Sequence, residues 1–358
     1  MTRASVLILV MACTRPSEER AIEELGVGRA SISGASIEVA DGLAAVRTLA
    51  DHQLELWCGA PALVFSLSID AGAAGEWTIV ARNSLPDSNL TIGSDVYTRE
   101  PGDRSTVATF RLSLAAGTHS VRIAPPDADR AEPFRVAAMA DIQTALPEVD
   151  DVFEAISGVP DARFVIAMGD LTERGTIEEY ELFERQLVTL EIPFYTTLGN
   201  HELWGPADRF YSRFGRASFH FDFKGAAFTF ADTGDAGIDP LVEQWLDGWI
   251  AQSIDQPHVF LSHFPPIDPV GARYGGFRSS RDGHRLLARL AEGNVDLTLY
   301  GHLHTFIEFE NAGIPAFISG GGGADPMLGD GIDRHFLVID VDAATGRPIQ
   351  NVAVQRVD

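Results

Sequence analysis

The stretch "RVAAMADIQTA", residues 135–145, contains an unbroken apolar run that ends on an acid and an amide. A run this short and this apolar predicts a strand buried on both faces. Asp141 and Gln143 follow it two residues apart, and alternate residues of an extended chain project to the same side. The pair is therefore either an ordinary turn or the first corner of a metal site at the end of the strand.

Four later apolar runs also end in polar residues: "RFVIAMGDLTER", "PFYTTLGNHE", "HVFLSHFPP" and "VDLTLYGHLH". Helical patterns separate several of these runs. Residues 177–190 carry one apolar stripe, and Thr176 and Glu179 stand before it as a capping box. Strands that alternate with helices predict an α/β layered domain whose site lies at the carboxyl ends of its strands.

The polar residues at these five strand ends suit metal coordination. They are two carboxylates, one or two side-chain amides and three or four imidazoles, and the candidate ligands among them are Asp141, Asp170, Gln143, Asn200, His263, His302 and His304. Such a mixture suits two divalent ions held close together, with one carboxylate bridging them. The alternative is that turn formers and helix caps happen to follow the strands, where Asp and Asn are common. Five such endings in one domain favour the metal site.

The order and spacing of these blocks resemble those of the calcineurin-like metallophosphoesterase superfamily, from about residue 135 to the end of the chain. "GNHE" followed by "GHLH" is the most specific part of the match. The resemblance implies a layered α/β metallophosphoesterase domain over residues 134–358, with a central β-sandwich and flanking helices. It also implies two divalent metal ions and hydrolysis of a phosphomonoester, phosphodiester or pyrophosphate bond.

The resemblance also assigns roles to single residues. It implies that Asp141, Gln143 and His304 hold the first metal, that Asn200, His263 and His302 hold the second, and that Asp170 bridges both. His201 would face the phosphoryl group or the leaving alkoxide, with Glu202 orienting it. Arg174 would hold its loop or contact phosphate. Arg273 and Arg278, in a Gly-rich segment after His263, are further candidates for substrate binding.

Gln143 departs from the pattern, because the superfamily usually has His there. A Gln carbonyl oxygen is neutral, as imidazole is, but it is a harder donor. We therefore expect the site to favour Mn²⁺ or Mg²⁺ over Zn²⁺ or Fe. A second interpretation stays open, in which the first metal site is lost and the protein is a non-catalytic surface binding or scaffolding relative.

The N-terminal third of the chain predicts a different architecture. Short β-branched and aromatic runs separated by turn residues, over residues 31–124, predict a small all-β sandwich domain. Residues 125–133 are rich in proline and charge and predict a linker to the second domain. We also assign residues 14–30 as a linker.

Charge and the first residues bear on partners and location. The net charge of −24 makes nucleic acid an improbable general partner and leaves a phosphorylated small molecule as the expected substrate. Residues 1–13 resemble a secretory signal that ends on Cys13, as in a bacterial lipoprotein. We therefore expect an exported, periplasmic or cell-surface protein, with any membrane contact made through a lipid on Cys13.

Overall fold

The computed structural model describes residues 16–271, 275–327 and 331–357. The signal-like segment with Cys13, and the candidate Arg273, lie outside these described residues, so the predictions made for them stay predictions. No helix within the described residues is long and apolar enough to cross a membrane.

The N-terminal region is an all-β sandwich, as predicted. Its strands are β1 Arg29–Ile32, β2 Ala35–Val39, β3 Ala44–Ala50, β4 Gln53–Cys58, β5 Leu63–Ile69, β6 Gly75–Arg82, β7 Asn89–Ile92, β8 Asp95–Thr98, β9 Val107–Leu114 and β10 Gly117–Ala124. They form a six-stranded sheet in the order β1-β2-β5-β10-β7-β8 and a four-stranded sheet in the order β3-β4-β6-β9. The two inner faces enclose one apolar core that includes Phe65, Trp77 and Phe110. Residues 125–133 then run as turns and bends from β10 to the next strand.

The second region has strands in two sheets with helices outside them. The strands are β11 Phe134–Met139, β12 Ala162–Ala167, β13 Phe194–Thr196, β14 Phe219–Phe223, β15 Ala226–Ala231, β16 His258–Ser262, β17 Leu297–Tyr300, β18 Phe306–Asn311, β19 Ile314–Ser319, β20 His335–Val341 and β21 Ile349–Arg356. The α-helices within the described residues are α1 Pro16–Glu24, α2 Asp150–Ser157, α3 Ile177–Gln186, α4 Asp208–Phe214, α5 Pro240–Gln252 and α6 Ser280–Glu292. The strand orders are β13-β12-β11-β20-β21 and β14-β15-β16-β17-β19-β18. Strands β13, β12 and β11 are parallel in the first sheet, and β15, β16, β17 and β19 are parallel in the second.

The second region has four layers, two sheets with helices on each outer side, and alternate residues of its strands face different layers. In β11, Val136 and Ala138 face the core between the two sheets, whereas Ala137 and Met139 face the helices α2, α3 and α4. The helices α5 and α6 cover the outer face of the other sheet. Both faces of the central strands are buried, which is why their sequences read as continuous apolar runs. The predicted α/β layered fold is confirmed.

The capping box predicted before α3 is present. The Thr176 side chain accepts a hydrogen bond from the Glu179 backbone, and the Glu179 side chain accepts one from the Thr176 backbone. The helix ends at Gln186, earlier than residue 190, and the chain continues as turns. Leu187 and Leu190 still pack into the core, so the apolar stripe extends beyond the helix.

Residues 14–30 differ from the predicted linker, because their described part contains helix α1. This helix packs on the second region. The Arg20 guanidinium donates to Asp232 (Nε to Oδ2, 2.8 Å) and to Asp235 (Nη1 to Oδ2, 2.9 Å). The sequence PSEERAIEE is mostly charged and has few apolar residues. The partners of Arg20 lie more than 200 residues away along the chain, so a local pattern does not show this packing.

Glu24, at the end of α1, gives folding stability a pH dependence. Its carboxylate is fully buried and accepts a hydrogen bond from the Ser218 backbone (2.9 Å). Burial, with the nearby charge of Asp232, raises the pKa of Glu24 to about 8 from 4.5. Between these two values the folded protein keeps a proton that the unfolded chain releases. The free energy of unfolding should therefore fall as the pH rises through that window.

The variant Glu24→Gln keeps an acceptor for Ser218 and removes the titration. We expect its stability to vary less with pH between 5 and 8 than that of the wild type, in urea unfolding at several pH values. Glu23→Gln, on the exposed side of the same helix, is the matched control and should behave like the wild type. Parallel pH profiles for Glu24→Gln and wild type would contradict the assignment.

Candidate metal centre

The strand ends of both sheets meet at one edge of the sandwich. The backbone of Gly322, after β19, donates to Ala140 O after β11 (2.8 Å), and His263 after β16 contacts Met168 O after β12 (2.7 Å). The seven predicted metal-site residues therefore lie together. Their side chains are buried or half-buried, and those of Asp141 and His263 are fully buried.

An unusual backbone conformation aims several of these side chains. Asp141, Gln143, Asp170 and His302 have φ values of 63°, 46°, 55° and 69°. The left-handed region is uncommon for residues other than glycine. Residues in it cluster at functional sites, where the surrounding structure holds the strained backbone in place. Gly199 has no side chain because a Cβ there would lie 2.1 Å from Asp170 Oδ1. The chain accepts local strain in order to bring these loops together.

The predicted first-metal residues form one cluster. Gln143 Nε2 lies 2.7 Å from Asp170 Oδ2 and 3.2 Å from His304 Nε2. His304 Nε2 lies 3.6 Å from Asp141 Oδ1. Rotation of the Gln143 amide about its last torsion exchanges the nitrogen and the oxygen, so a carbonyl oxygen can occupy the same place.

The predicted second-metal residues form an adjoining cluster. Asn200 Oδ1 lies 3.0 Å from His263 Nε2 and 3.1 Å from His302 Nδ1. Asp170 Oδ2 lies 3.2 Å from His263 Nε2 and also contacts Gln143 in the first cluster. The Asp170 carboxylate therefore contacts a side chain of each group, as a bridging carboxylate would.

The imidazole hydrogen bonds show that the site fits cations. His263 Nδ1 faces Met168 O (2.7 Å), and His304 Nδ1 faces Asp325 O (2.8 Å). A carbonyl oxygen only accepts, so each Nδ1 donates, and Nε2 is the nitrogen left to bind a metal once it has lost its proton. This is the arrangement in which histidine ligates a metal. Ligand atoms of Asp141, Asp170 and His263 lie within 4.8 Å of one another.

Electrostatics inside the cluster are strongly coupled. Burial alone would raise the pKa of Asp170, but the charge and hydrogen bond of His263 outweigh it and lower that pKa well below its usual value. Burial would lower the pKa of His263, but Asp170 raises it to about 9. Burial raises the pKa of Asp141 to about 6. Asp170 is therefore ionised near neutral pH, which is the form that binds a metal.

Glu202 holds two of the ligand loops. Its Oε2 accepts from the backbone of Asp170 (2.9 Å) and Gly199 (2.7 Å), and its Oε1 accepts from Thr172 N and Oγ1 (both 3.0 Å). Glu202 is fully buried. The prediction from sequence was that Glu202 orients His201. The structure shows it bonded to the loop backbones, and its place in "GNHE" did not indicate this role.

His201 is oriented by a residue that the sequence did not single out. Its Nδ1 donates to the backbone oxygen of Glu173 (2.8 Å), and its backbone NH donates to Asp170 Oδ1 (2.9 Å). The half-buried ring lies parallel to that of Trp204, with 5.7 Å between the ring centroids. His201 thus lies beside the clustered ligand residues, and its Nε2 is on the edge of the ring away from Glu173 O.

The predicted arginines lie farther out. Arg174 is exposed, and its Cζ lies 6.0 Å from the centroid of Trp204. Arg278 is also exposed and lines a cleft that Phe264 also lines. The Phe264 ring packs on the His302 ring (3.7 Å between centroids), so this cleft borders the clustered ligand residues. The structure places both arginines at the rim of the site and neither among the clustered ligands.

The role of Gln143 can be tested through metal preference. Gln143→His should shift the preference towards Zn²⁺, because imidazole nitrogen is the softer donor and histidine tolerates the left-handed backbone there. Gln143→Ala should lower the affinity or stoichiometry of metal binding. Equilibrium dialysis with elemental analysis, in mixtures of Mn²⁺ and Zn²⁺, measures both effects. Unchanged stoichiometry and affinity in Gln143→Ala would show that Gln143 is not a ligand.

A buried cluster of Asp, Asn, Gln and His at the carboxyl ends of a two-sheet α/β sandwich is a group of residues that could hold metal ions. Residues 134–306 match the family model of the calcineurin-like phosphoesterases, and this part of the chain is a domain of that family. The family depends on two metal ions. The donors present here fit that requirement.

Comparisons with individual proteins agree with the family. A probable glycerophosphodiester phosphodiesterase of Arcobacter nitrofigilis is 46% identical over 43 residues, which are 12% of this chain and 16% of the relative. A 3′,5′-cyclic-nucleotide phosphodiesterase of Nostoc sp. is 25% identical over 155 residues, which are 40% of this chain and 57% of the relative. The matched segments thus span only part of these relatives.

A purple acid phosphatase from yellow lupin (Lupinus luteus) seeds has a similar fold. Its TM-score is 0.52 with 13% sequence identity, over 83% of this chain and 72% of the phosphatase. At this level of identity the likeness concerns the fold.

Proposed function

We propose that this protein is a dinuclear metal-dependent phosphodiesterase. The observation that carries the proposal is the contact of Asp170 Oδ2 with both ligand clusters, with His201 standing beside them. A site that kept only the fold would not need this complete donor set. Mn²⁺ and Mg²⁺ are the favoured metals because Gln143 supplies an oxygen donor.

The chain's own residues provide binding, orientation and proton transfer. When bound, two divalent cations supply a nucleophilic hydroxide and neutralise the phosphoryl oxygens. Asp170 holds the two ligand clusters in register. His201 holds its Nδ1 proton on Glu173 O, and in its doubly protonated form it donates the Nε2 proton to the phosphoryl group or transfers it to the leaving alkoxide, which leaves the ring neutral. Glu202 keeps the loops of Asp170 and Asn200 fixed during these steps.

Two arguments support a diester as substrate. Both matched relatives named above are phosphodiesterases by name. In addition, a diester carries one negative charge and a monoester nearly two near neutral pH. A protein with a net charge of −24 repels the monoester more strongly.

A panel of substrates tests the proposal. Protein stripped with a chelator is reloaded with Mn²⁺, Mg²⁺ or Zn²⁺ and assayed on bis(p-nitrophenyl) phosphate and p-nitrophenyl phosphate. We expect turnover only after reloading, fastest with Mn²⁺ or Mg²⁺ and faster on the diester. Preference for the monoester would replace the phosphodiesterase with a phosphatase. No turnover with any metal would favour the scaffolding interpretation.

A further inference from the structure

Trp204 is the most exposed large hydrophobic side chain among the described residues, at 65% exposure. Isolated exposed apolar residues are common on protein surfaces and by themselves indicate nothing. Trp204 differs in its position, because it lies four residues after Asn200 along the chain and its ring is parallel to that of His201, with 9° between the planes. It therefore stands at the mouth of the proposed catalytic site.

The backbone around Trp204 is held firmly. The Trp204 and Gly205 backbones donate to His201 O and Glu202 O (both 3.3 Å), which closes a short 3-10 turn. Gly205 packs so closely on Gly175 that a Cβ would lie 2.4 Å from Gly175 O. Arg209 Nη1 also donates to Gly175 O (3.1 Å). The two rim loops, which carry Arg174 and Trp204, are thus locked to each other.

These contacts create a flat, rigid, partly cationic surface beside His201. The Arg174 guanidinium carbon lies 6.0 Å from the Trp204 ring centroid, within the range of a cation–π contact. An exposed indole held by its backbone loses little entropy when a planar group stacks on it. A neighbouring guanidinium adds favourable charge for an anionic ligand.

We propose that Trp204 is a stacking platform for a planar aromatic group of the substrate, flanked by Arg174. This inference rests on the proposed function and narrows its substrate class to phosphodiesters with a nucleobase or aryl substituent. His201, 5.7 Å away between ring centroids, acts on the phosphoryl end of the same molecule. Aromatic side chains stack on any nucleobase, so we expect Trp204 to favour planar groups without distinguishing one base from another.

Product binding tests the platform without requiring turnover. Isothermal titration calorimetry on Mn²⁺-loaded protein compares adenosine 5′-phosphate, phenyl phosphate and ribose 5-phosphate. We expect adenosine 5′-phosphate to bind about tenfold more tightly than ribose 5-phosphate in the wild type. In Trp204→Ala the two affinities should become nearly equal, whereas Trp204→Phe should keep most of the difference. Phenyl phosphate separates a small aryl group from a nucleobase as the preferred occupant.

Two results would overturn the platform. One is equal affinity of the wild type for adenosine 5′-phosphate and ribose 5-phosphate. The other is that Trp204→Ala weakens both ligands by the same factor, which would make Trp204 a support of the His201 loop instead of a contact. A protein without phosphodiesterase turnover still gives a readable binding ratio, so failure of the proposed function and failure of the platform are distinguishable.

Discussion

The variant Asp170→Asn is expected to lower turnover of a phosphodiester by about three orders of magnitude or more, because the bridging charge between the two ligand clusters is lost. Asp170 Oδ2 lies 2.7 Å from Gln143 and 3.2 Å from His263. An amide in its place is neutral and presents at most one oxygen to two cations. We expect fewer bound metal ions per chain as well as the loss of activity.

Asparagine is the correct substitution because of the backbone. Asp170 has φ 55°, a conformation that Asn tolerates and Ala does not, so Asp170→Ala would mix strain with loss of charge. Asp161 has φ 62° and is exposed at the other end of β12, which makes Asp161→Asn a matched control. The measurements are kcat, metal content by elemental analysis and the thermal unfolding midpoint. Metal-dependent turnover at the wild-type rate in Asp170→Asn would refute the dinuclear mechanism.

The sequence was sufficient to predict where the polar site lies. Each apolar run before Asp141, Asp170, Asn200, His263 and His302 is a local signal, and parallel strands bring their carboxyl ends to one edge. The fold class and the capping box at Thr176 follow from equally local patterns. Local reasoning is reliable here because the information that fixes each strand end lies within about ten residues of it.

Features that depend on distant partners were not predictable in the same way. Glu24 meets Ser218 across 194 residues, so helix α1 was assigned to a linker. The role of Glu202 depends on the backbone of Asp170, 32 residues earlier. The sequence does not single out Trp204, because its position beside His201 depends on the packing of the Gly175 loop against the Gly205 loop. Each of these features depends on contacts between loops or helices that are far apart along the chain, and the patterns of a single sequence do not show such contacts.

Glu202 should be the residue whose loss damages both folding and metal binding. Its carboxylate accepts four hydrogen bonds from two ligand loops. Glu202→Ala leaves these donors buried and without an acceptor, at a cost of about 1–3 kcal/mol for each group that water does not reach. Allowing for partial relaxation, we expect the free energy of unfolding to fall by about 3–5 kcal/mol.

Glu202→Gln distinguishes the hydrogen bonds from the space that the side chain fills. Its amide keeps the volume and one acceptor oxygen, but its NH₂ group faces a backbone donor whichever way it rotates. The expected order of stability is therefore wild type, then Glu202→Gln, then Glu202→Ala. Urea unfolding gives the stabilities, and Mn²⁺ binding is measured well below the unfolding midpoint. If Glu202→Ala binds Mn²⁺ as tightly as the wild type there, the carboxylate stabilises the fold without positioning Asp170 and Asn200.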